Sequence, residues 1–287
     1  MDIVKSRYIG RVMTGIITDE NQNKYFIQKN GLTYALDKKE GTFQLGDSIT
    51  GFVYTNQKGS KCITLKIPKV QVGRYSWAVV TGVRRDLGVF VDIGLPDKDI
   101  VVSCDDLPDL GQLWPKKGDK LLISLRVDSK DRLWGVLAEE DIFRAISRLG
   151  NKNMQNKNVE GIVFRLKMVG TYFLTKDYYI GFIHPSERFE EPRLGETIKG
   201  RVIGVRADGV INCSLKPRGY EVITDDAAMI LAMLKQSATK SLPYTDKSTP
   251  EEINQKFAIS KSQFKRAVGN LLKKDLIIQQ NGQIYLK

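Results

Sequence analysis

The chain has 287 residues, a formal net charge of +12 and 41% hydrophobic residues, which is typical of a protein built from several small domains. No apolar run approaches the roughly 18 residues of a membrane span, and the first residues lack the charged-then-apolar order of a signal peptide. We therefore expect a cytoplasmic protein with no membrane partner. Cys62, Cys104 and Cys213 are an odd number with no Cys-x-x-Cys pair, which argues against a disulfide scaffold and structural zinc.

Three similar stretches recur along the chain, each with a Gly-Asp or Gly-Glu turn that leads into an apolar strand. They occupy residues 45–53, 117–125 and 194–202. Their turn glycines lie 72 and 77 residues apart, which is too wide for solenoid repeats of about 20 to 50 residues. The spacing therefore predicts three separate small domains, which we place at residues 1–69, 70–150 and 151–219.

Each copy contains segments for five short strands. Apolar residues alternate clearly in the second strand of the second copy, from Val89 to Ile93. Five short alternating strands in about 65 residues indicate a small closed barrel. A short helix is expected at the end of the second copy.

Residues 220–287 depart from this β pattern. The spacing of apolar residues predicts an amphipathic helix over 225–236, and Thr249 and Ser260 each begin a further helix with a capping box. Apolar strands on either side of Asn281-Gly282 predict a hairpin on a tight turn. Three helices followed by a hairpin indicate an α+β winged-helix domain.

The last predicted helix carries Lys261, Lys265 and Arg266 mostly off its apolar face. A basic helix after a tight turn is the arrangement by which a helix-turn-helix places a recognition helix in a DNA major groove. Winged helices also contact RNA or protein, and an ordinary solvated helix face explains the same lysines. The sequence leaves these alternatives open.

The positive charge is unevenly distributed. Lysine and arginine outnumber aspartate and glutamate by 11 to 6, 12 to 7 and 10 to 7 in the first, third and fourth segments, against 12 to 13 in the second. A basic excess on small barrels favours a polyanionic partner, and nucleic acid is the commonest such partner in the cytoplasm.

Aromatic residues on two strands of the third copy suggest how such a partner binds. Strand alternation puts Tyr172 on the face opposite Phe173, and Phe182 on the same face as His184. Tyr172, Phe182 and His184 therefore predict an exposed platform on which bases of single-stranded RNA stack. We expect Phe90 to be exposed in the second copy. The alternative is that Phe182 belongs to the barrel core.

Two segments carry a family resemblance. Asp86-Leu-Gly-Val-Phe-Val-Asp-Ile-Gly94 and Gly181-Phe-Ile-His-Pro-Ser-Glu187 resemble the signature strands of the S1 type of OB-fold RNA-binding domain. The whole chain resembles the bacterial conserved virulence factor B (CvfB-like) family. The most specific pieces are Lys98-Asp-Ile-Val101, Leu242-Pro-Tyr-Thr-Asp-Lys-Ser-Thr-Pro-Glu-Glu252 and Ser260-Lys-Ser-Gln-Phe-Lys-Arg-Ala-Val-Gly269. The resemblance implies three S1-like OB-fold barrels, a C-terminal winged helix, a mainly β fold and a role in virulence regulation.

The resemblance also implies an RNA face in the third copy. Tyr172 matches the aromatic residue of that face and His184 its histidine, whereas Arg206 and Val210 stand where the family has aspartate and arginine. This face therefore matches the family pattern in part.

The other two copies match the family face differently. The second copy keeps Phe90, Asp128 and Arg132, while Val102 replaces the histidine. The more divergent first copy offers two counterparts, Tyr25 and Tyr34.

Catalysis finds little support in the sequence. His184 is the sole histidine, which excludes a two-histidine metal site and leaves one candidate for any triad. Asp105, Asp106 and Asp109 can in principle hold magnesium for a nuclease, but Pro108 beside them favours a solvated turn. With no glycine-rich phosphate loop present, we predict a non-enzymatic protein without cofactor or metal.

The combined prediction is a cytoplasmic protein that binds single-stranded RNA and regulates gene expression after transcription. One alternative is a DNA-binding transcriptional regulator that acts through the winged helix. Another is an accessory subunit that tethers RNA to a ribonuclease or a ribosome.

Overall fold

The structure, a computed structural model, describes residues 8–217 and 224–287. The chain divides into two compact units, Met1–Leu215 and Lys216–Lys287. The first contains three closed five-stranded barrels, and the second contains a small helical domain with a three-stranded sheet. The predicted mainly β class, with three barrels and a winged helix, is confirmed.

The three barrels share one strand order. The first barrel consists of β1 to β5, at Val12–Glu20, Lys24–Lys29, Leu32–Asp37, Ser48–Thr55 and Lys61–Thr64. The second consists of β6 to β10, at Ser76–Arg84, Gly88–Asp92, Ile100–Ser103, Lys120–Val127 and Leu133–Leu137. The third consists of β11 to β15, at Asn158–Lys167, Gly170–Thr175, Ile180–Ile183, Thr197–Val205 and Ile211–Ser214. In each barrel the third and fifth strands are parallel, and the first strand closes the barrel by pairing with the fourth.

Strand alternation separates a core face from an outer face in the third barrel. Phe173 and Ile183 lie in the barrel core with Val202 and Ile211, so the residues next to them in sequence point outward. Gly170, with φ +147°, begins β12 where a Cβ atom would lie 2.4 Å from the carbonyl oxygen of Ile183. Glycine is therefore required for β12 to approach β13 at this point.

The first and second barrels share a continuous hydrophobic cluster. The segment between them pairs with both, because the N–H of Val72 donates to the carbonyl of Gly10 at 2.9 Å and the N–H of Leu125 donates to Gln71 at 3.2 Å. The polypeptide that joins these two barrels is thus itself part of their packing.

The second and third barrels are joined by a short helix, α1, at Glu140–Ile146. Phe143 on this helix stacks on Phe164 of the third barrel, with ring centroids 3.8 Å apart, and lies 6.3 Å from the ring of Trp77 in the second. Aromatic contacts of this kind add to the burial of apolar area, so α1 connects the two barrels through side-chain packing.

The second unit is the winged helix. Its helices are α2 at Asp225–Gln236, α3 at Pro250–Phe257 and α4 at Lys261–Lys273, and its strands are β16 at Ser241–Leu242, β17 at Ile277–Gln280 and β18 at Gln283–Leu286. Both predicted capping boxes are present, at Thr249 and Ser260. Strand β16 was not predicted from the sequence, because two residues are too few to show alternation. Within the described residues, no helix is long and apolar enough to cross a membrane.

Candidate nucleic-acid interface

A row of four side chains crosses the outer face of the third barrel. Strand register pairs Arg165 with Tyr172, Tyr172 with Phe182, and Phe182 with Asn212. A bulge in β11 between Val163 and Arg165 sets the first of these pairs. Directly paired residues have neighbouring side chains on the same face of a sheet, so the four form one continuous surface.

The two aromatic rings of this row differ in accessibility. Tyr172 and Phe182 have ring centroids 5.0 Å apart at 59°, and Tyr172 is partly exposed. Phe182 is 7% exposed, although it lies outside the barrel core that contains Phe173. The expectation of an exposed Phe182 is therefore wrong, and the alternative of a buried Phe182 is closer: it belongs to a second hydrophobic cluster, with Phe143 and Leu174, on the outer side of the barrel.

Arg206 is one of the groups that cover Phe182. Its guanidinium carbon lies 4.2 Å from the Phe182 ring centroid, and its Nε donates to Oδ1 of Asn212 at 3.0 Å. Because an arginine over a ring face is attracted by the ring quadrupole, Arg206 is positioned at the end of the row. An arginine thus lies at each end of the row: Arg165 is its first member, and Arg206 contacts Phe182 and Asn212 at the other end.

His184 lies two residues after Phe182 and is exposed. It caps a 3-10 helix at Pro185–Glu187, where its Nδ1 accepts the backbone N–H of Ser186 at 3.2 Å. In the neutral ring this acceptor role leaves the proton on Nε2, which then serves as a donor.

The second barrel carries a corresponding row. Register pairs Phe90 with Val101, and Val101 with Trp134. Phe90 and Trp134 are both partly exposed, as expected for Phe90. Trp134 was not predicted as a site residue, although its alternation with buried Leu133 was a usable signal.

Asp128 holds one basic and one aromatic side chain in place at this row. Its Oδ2 accepts from Nε of Arg132 at 2.7 Å and from the indole N–H of Trp134 at 3.1 Å, and the Arg132 guanidinium carbon lies 5.6 Å from the Trp134 ring centroid. Partial burial alone raises the pKa of Asp128, but hydrogen bonds from the Arg132 backbone, Trp134 and the Arg132 side chain outweigh it, so the pKa lies well below its usual range. Asp128 therefore stays ionised near neutral pH.

One residue correspondence needs correction. Val102 is fully buried in the core, so it does not take the place of the histidine. Register aligns Phe90–Val101 with Tyr172–Phe182, which makes Ser103 the counterpart of His184. Ser103 caps a 3-10 helix by accepting from a backbone N–H, as His184 does.

The counterparts assigned in the first barrel also need correction. Tyr34 is fully buried and Tyr25 is 4% exposed, and burial raises the pKa of Tyr34 to about 12. Alternation directs both rings into the barrel, because the outward residues of these strands are Phe26 and Ala35, which pair in register. Neither tyrosine offers a ring face to a base.

A cleft of about 470 Å³ lies between the faces of the second and third barrels. Val136, two residues after Trp134 on the same face of β10, lines it on one side. Phe164 and Arg165 line it on the other, and Arg165 is the first member of the third-barrel row. The cleft therefore reaches the third-barrel row at Arg165 and comes within two residues of Trp134 along β10.

The winged helix places its three predicted basic residues differently. Lys265 and Arg266 are exposed on α4, whereas Lys261 is half-buried at its first position. The apolar face of α4 packs through Phe264, Val268 and Leu271 into the core of this unit. The basic residues lie off that face, as predicted.

No group of three or more histidine, cysteine, aspartate or glutamate side chains in residues 8–217 and 224–287 is arranged to hold a metal ion. The cluster of Asp105 and Asp106 instead belongs to a 3-10 helix at Cys104–Asp106, where Asp105 contacts Ser103.

Four family models match successive parts of the chain. Residues 9–66 match an S1 domain, residues 75–136 the first S1-like domain of CvfB, residues 143–217 the second domain of the virulence regulatory factor CvfB, and residues 228–286 a CvfB-like winged-helix domain. The fold and the matched domains define a protein of the nucleic-acid-binding S1 and winged-helix class.

Relatives specify the family. A protein named conserved virulence factor B from Staphylococcus epidermidis is 39% identical over 249 residues, covering 86% of this chain and 83% of that protein. YitL of Bacillus subtilis, described as uncharacterized, is 38% identical over 280 residues and covers 97% of this chain and 93% of YitL. The chain belongs to the conserved virulence factor B family.

A solved structure from Streptococcus pneumoniae is similar along nearly the whole chain. It is described as a multidomain protein with nucleic acid binding domains, is 48% identical, and gives a TM-score of 0.69 with 98% of this chain and 99% of that chain covered. A protein of known crystal structure is thus similar to this chain in both sequence and fold.

Proposed function

We propose that this chain binds single-stranded RNA across the second and third barrels and thereby regulates gene expression after transcription. The observation that carries the proposal is the row on the third barrel, where the partly exposed Tyr172 ring lies between Arg165 and the Phe182 ring that Arg206 covers. Aromatic rings stack on unpaired bases of any sequence, while flanking arginines neutralise phosphates.

The second barrel supports the same proposal. Trp134 and Phe90 offer partly exposed rings, and Arg126 and Arg132 lie 6.0 and 5.6 Å from the Trp134 ring centroid. The cleft lined by Val136 and Arg165 provides a route between the two rows. A single strand that follows this route contacts both barrels at once, and linked contacts of this kind raise affinity through effective concentration.

The regulatory part of the proposal rests on the family. Relatives are named conserved virulence factor B, and one matched model is described as a virulence regulatory factor. A regulator that acts by holding single-stranded RNA works after transcription, and we propose that it does so without catalysing a reaction. Cleavage of RNA that disappears on replacing Asp105, Asp106 and Asp109 by alanine would contradict the non-enzymatic part.

The test is a titration of the full chain with matched single-stranded RNA, single-stranded DNA and duplex DNA at two salt concentrations. We expect RNA to bind most tightly and its affinity to fall by about 0.7 log unit per log unit of salt for each phosphate contacted. Affinity that does not respond to salt, or no binding at low salt, would overturn the proposal.

Duplex DNA readout by the winged helix is the second candidate, because Lys265 and Arg266 are exposed on α4. If duplex DNA binds more tightly than RNA, and a Lys265→Glu and Arg266→Glu double variant abolishes that binding, the transcription-factor interpretation replaces the one proposed.

A further inference from the structure

The first barrel has a hollow where the third barrel has an aromatic row. Register places Ala35 at the position of Phe182, and Cys62, which pairs with Ala35, at the position of Asn212. These small side chains form part of the lining of a cleft of about 600 Å³, a size typical of small-ligand sites.

A loop of the second barrel forms one wall of this cleft. Pro96 and Asp97 line it, and the ammonium group of Lys98 donates to the carbonyl of Thr55 on the first barrel. The Tyr54 hydroxyl forms a hydrogen bond with Asp97. Because the loop is held by these contacts between the barrels, the cleft is formed before any ligand arrives, which lowers the entropic cost of binding.

The lining contains apolar side chains, which we call the floor, and three lysines, which we call the rim, together with three carboxylates. Ala35, Ile63, Leu65 and Pro96 supply apolar surface. Three lysines, Lys24, Lys39 and Lys66, lie at the same cleft, and none of them forms an ion pair with another of the described residues.

Polar groups for recognition are also present. Asp37, Glu40, Asn56 and Asp97 also line the cleft. The Glu40 carboxylate already accepts from the Thr64 hydroxyl and the backbone N–H of Leu65. Carboxylate and amide oxygens accept hydrogen bonds from the exocyclic amino groups of bases. Burial raises the pKa of the Cys62 thiol, so Cys62 lines the cleft as a neutral group rather than as a nucleophile.

We propose that this cleft binds one nucleoside monophosphate, with the base on the apolar floor and the phosphate at the lysine rim. The site is distinct from the rows of the second and third barrels, because it surrounds a single base where those rows offer a partly exposed ring. A free nucleotide and one nucleotide of an RNA strand present the same chemistry to it.

The test is calorimetric titration of the full chain with each of the four nucleoside 5′-monophosphates. We expect saturable binding of one nucleotide per chain for at least one of them. Ala35→Phe, which fills the cleft, and the double variant Lys24→Glu and Lys66→Glu, which reverses charge at its rim, should each weaken binding about tenfold or more, equal to about 1.4 kcal/mol.

Lys29→Glu is the matched control, because Lys29 lies on the same strand as Lys24 and is not part of the lining. It should bind as the unmodified chain does. If Ala35→Phe fails to fold by thermal melting, the lysine double variant decides alone. The proposal is overturned if none of the four nucleotides binds, if the double variant binds normally, or if Lys29→Glu weakens binding to the same degree.

Two further measurements distinguish a free nucleotide from a nucleotide of an RNA strand, and this cleft from the RNA-binding rows. The site belongs to a nucleotide of the RNA strand if two results are obtained together. Single-stranded RNA then displaces the nucleotide, and the lysine double variant binds RNA more weakly than Lys29→Glu does. Nucleotide that is not displaced assigns it to a free metabolite. Tyr172→Ala should leave nucleotide affinity unchanged, so failure of RNA binding on the third barrel and failure of this site are distinguishable.

Discussion

The first and third barrels have the same strand order and the same pairing, but they present different surfaces at matched positions. Where Tyr172 and Phe182 form an aromatic pair on the third barrel, the first has Phe26 followed by Ala35. The result is a covered aromatic surface in one barrel and a cleft in the other.

This difference shows that the barrel itself does not specify a ligand. The core residues set strand pairing, and the residues that alternate with them are free to vary without disturbing it. Alanine in place of phenylalanine at one outward position is thus part of the difference between an aromatic surface and a cleft, and one barrel scaffold carries both.

The largest expected effect tests the division between core and outer face. Phe173 is fully buried in the third barrel, so Phe173→Ala should destabilise that barrel by about 3 to 5 kcal/mol. Tyr172→Ala, one residue away on the outer face, should leave the melting temperature close to that of the unmodified chain. Thermal unfolding of both variants checks this, and equal destabilisation would show that the two faces are not separate.

The sequence allowed this division to be predicted. Alternation alone placed Tyr172 opposite Phe173, and the structure confirms the placement. The capping boxes at Thr249 and Ser260 were equally readable, because each depends on residues three apart in the chain. Features that depend on local spacing could therefore be predicted from the sequence.

Features that depend on partners distant in the sequence could not be predicted from it. Arg206 contributes to the burial of Phe182 although it is distant in the sequence, and no local pattern reports that contact. The first-barrel tyrosines were misassigned because strand register, which fixes the outward residues as Phe26 and Ala35, is set by pairing between strands.

An effect of intermediate size is expected when matched substitutions in the first and third barrels are compared for RNA affinity. If bases stack on the third barrel, Tyr172→Ala should weaken RNA binding by about 1 to 3 kcal/mol. Phe26→Ala, at the matched position of the first barrel, should leave RNA affinity nearly unchanged, because Phe26 has no aromatic partner in its row. Equilibrium RNA titrations of the two variants measure the contrast.

Tyr178→Ala controls for the loss of an exposed tyrosine as such. Tyr178 is 45% exposed and lies in the turn between β12 and β13, off the row. It should bind RNA normally. If Phe26→Ala weakens RNA binding as much as Tyr172→Ala does, the assignment of stacking to the third barrel is wrong.

The smallest expected effect concerns the second barrel, where Asp128 already pairs with Arg132. The Asp128 carboxylate neutralises part of the Arg132 charge, so Arg132 interacts more weakly with a phosphate. Arg132→Ala should therefore lower the slope of log affinity against log salt by a fraction of the roughly 0.7 that a full phosphate contact contributes. Asp128→Asn should instead raise the salt dependence of RNA binding, because it removes the competing negative charge and leaves Arg132 free for the phosphate.

The pKa of Asp128 is depressed. Its ion pair therefore contributes to stability above the unfolded pKa of about 3.9, and this contribution is lost as pH falls through the lower folded value. Salt titrations near neutral pH therefore report the paired state. Equal salt slopes for all three proteins would mean that Arg132 touches no phosphate and serves to hold Asp128 and Trp134 in place.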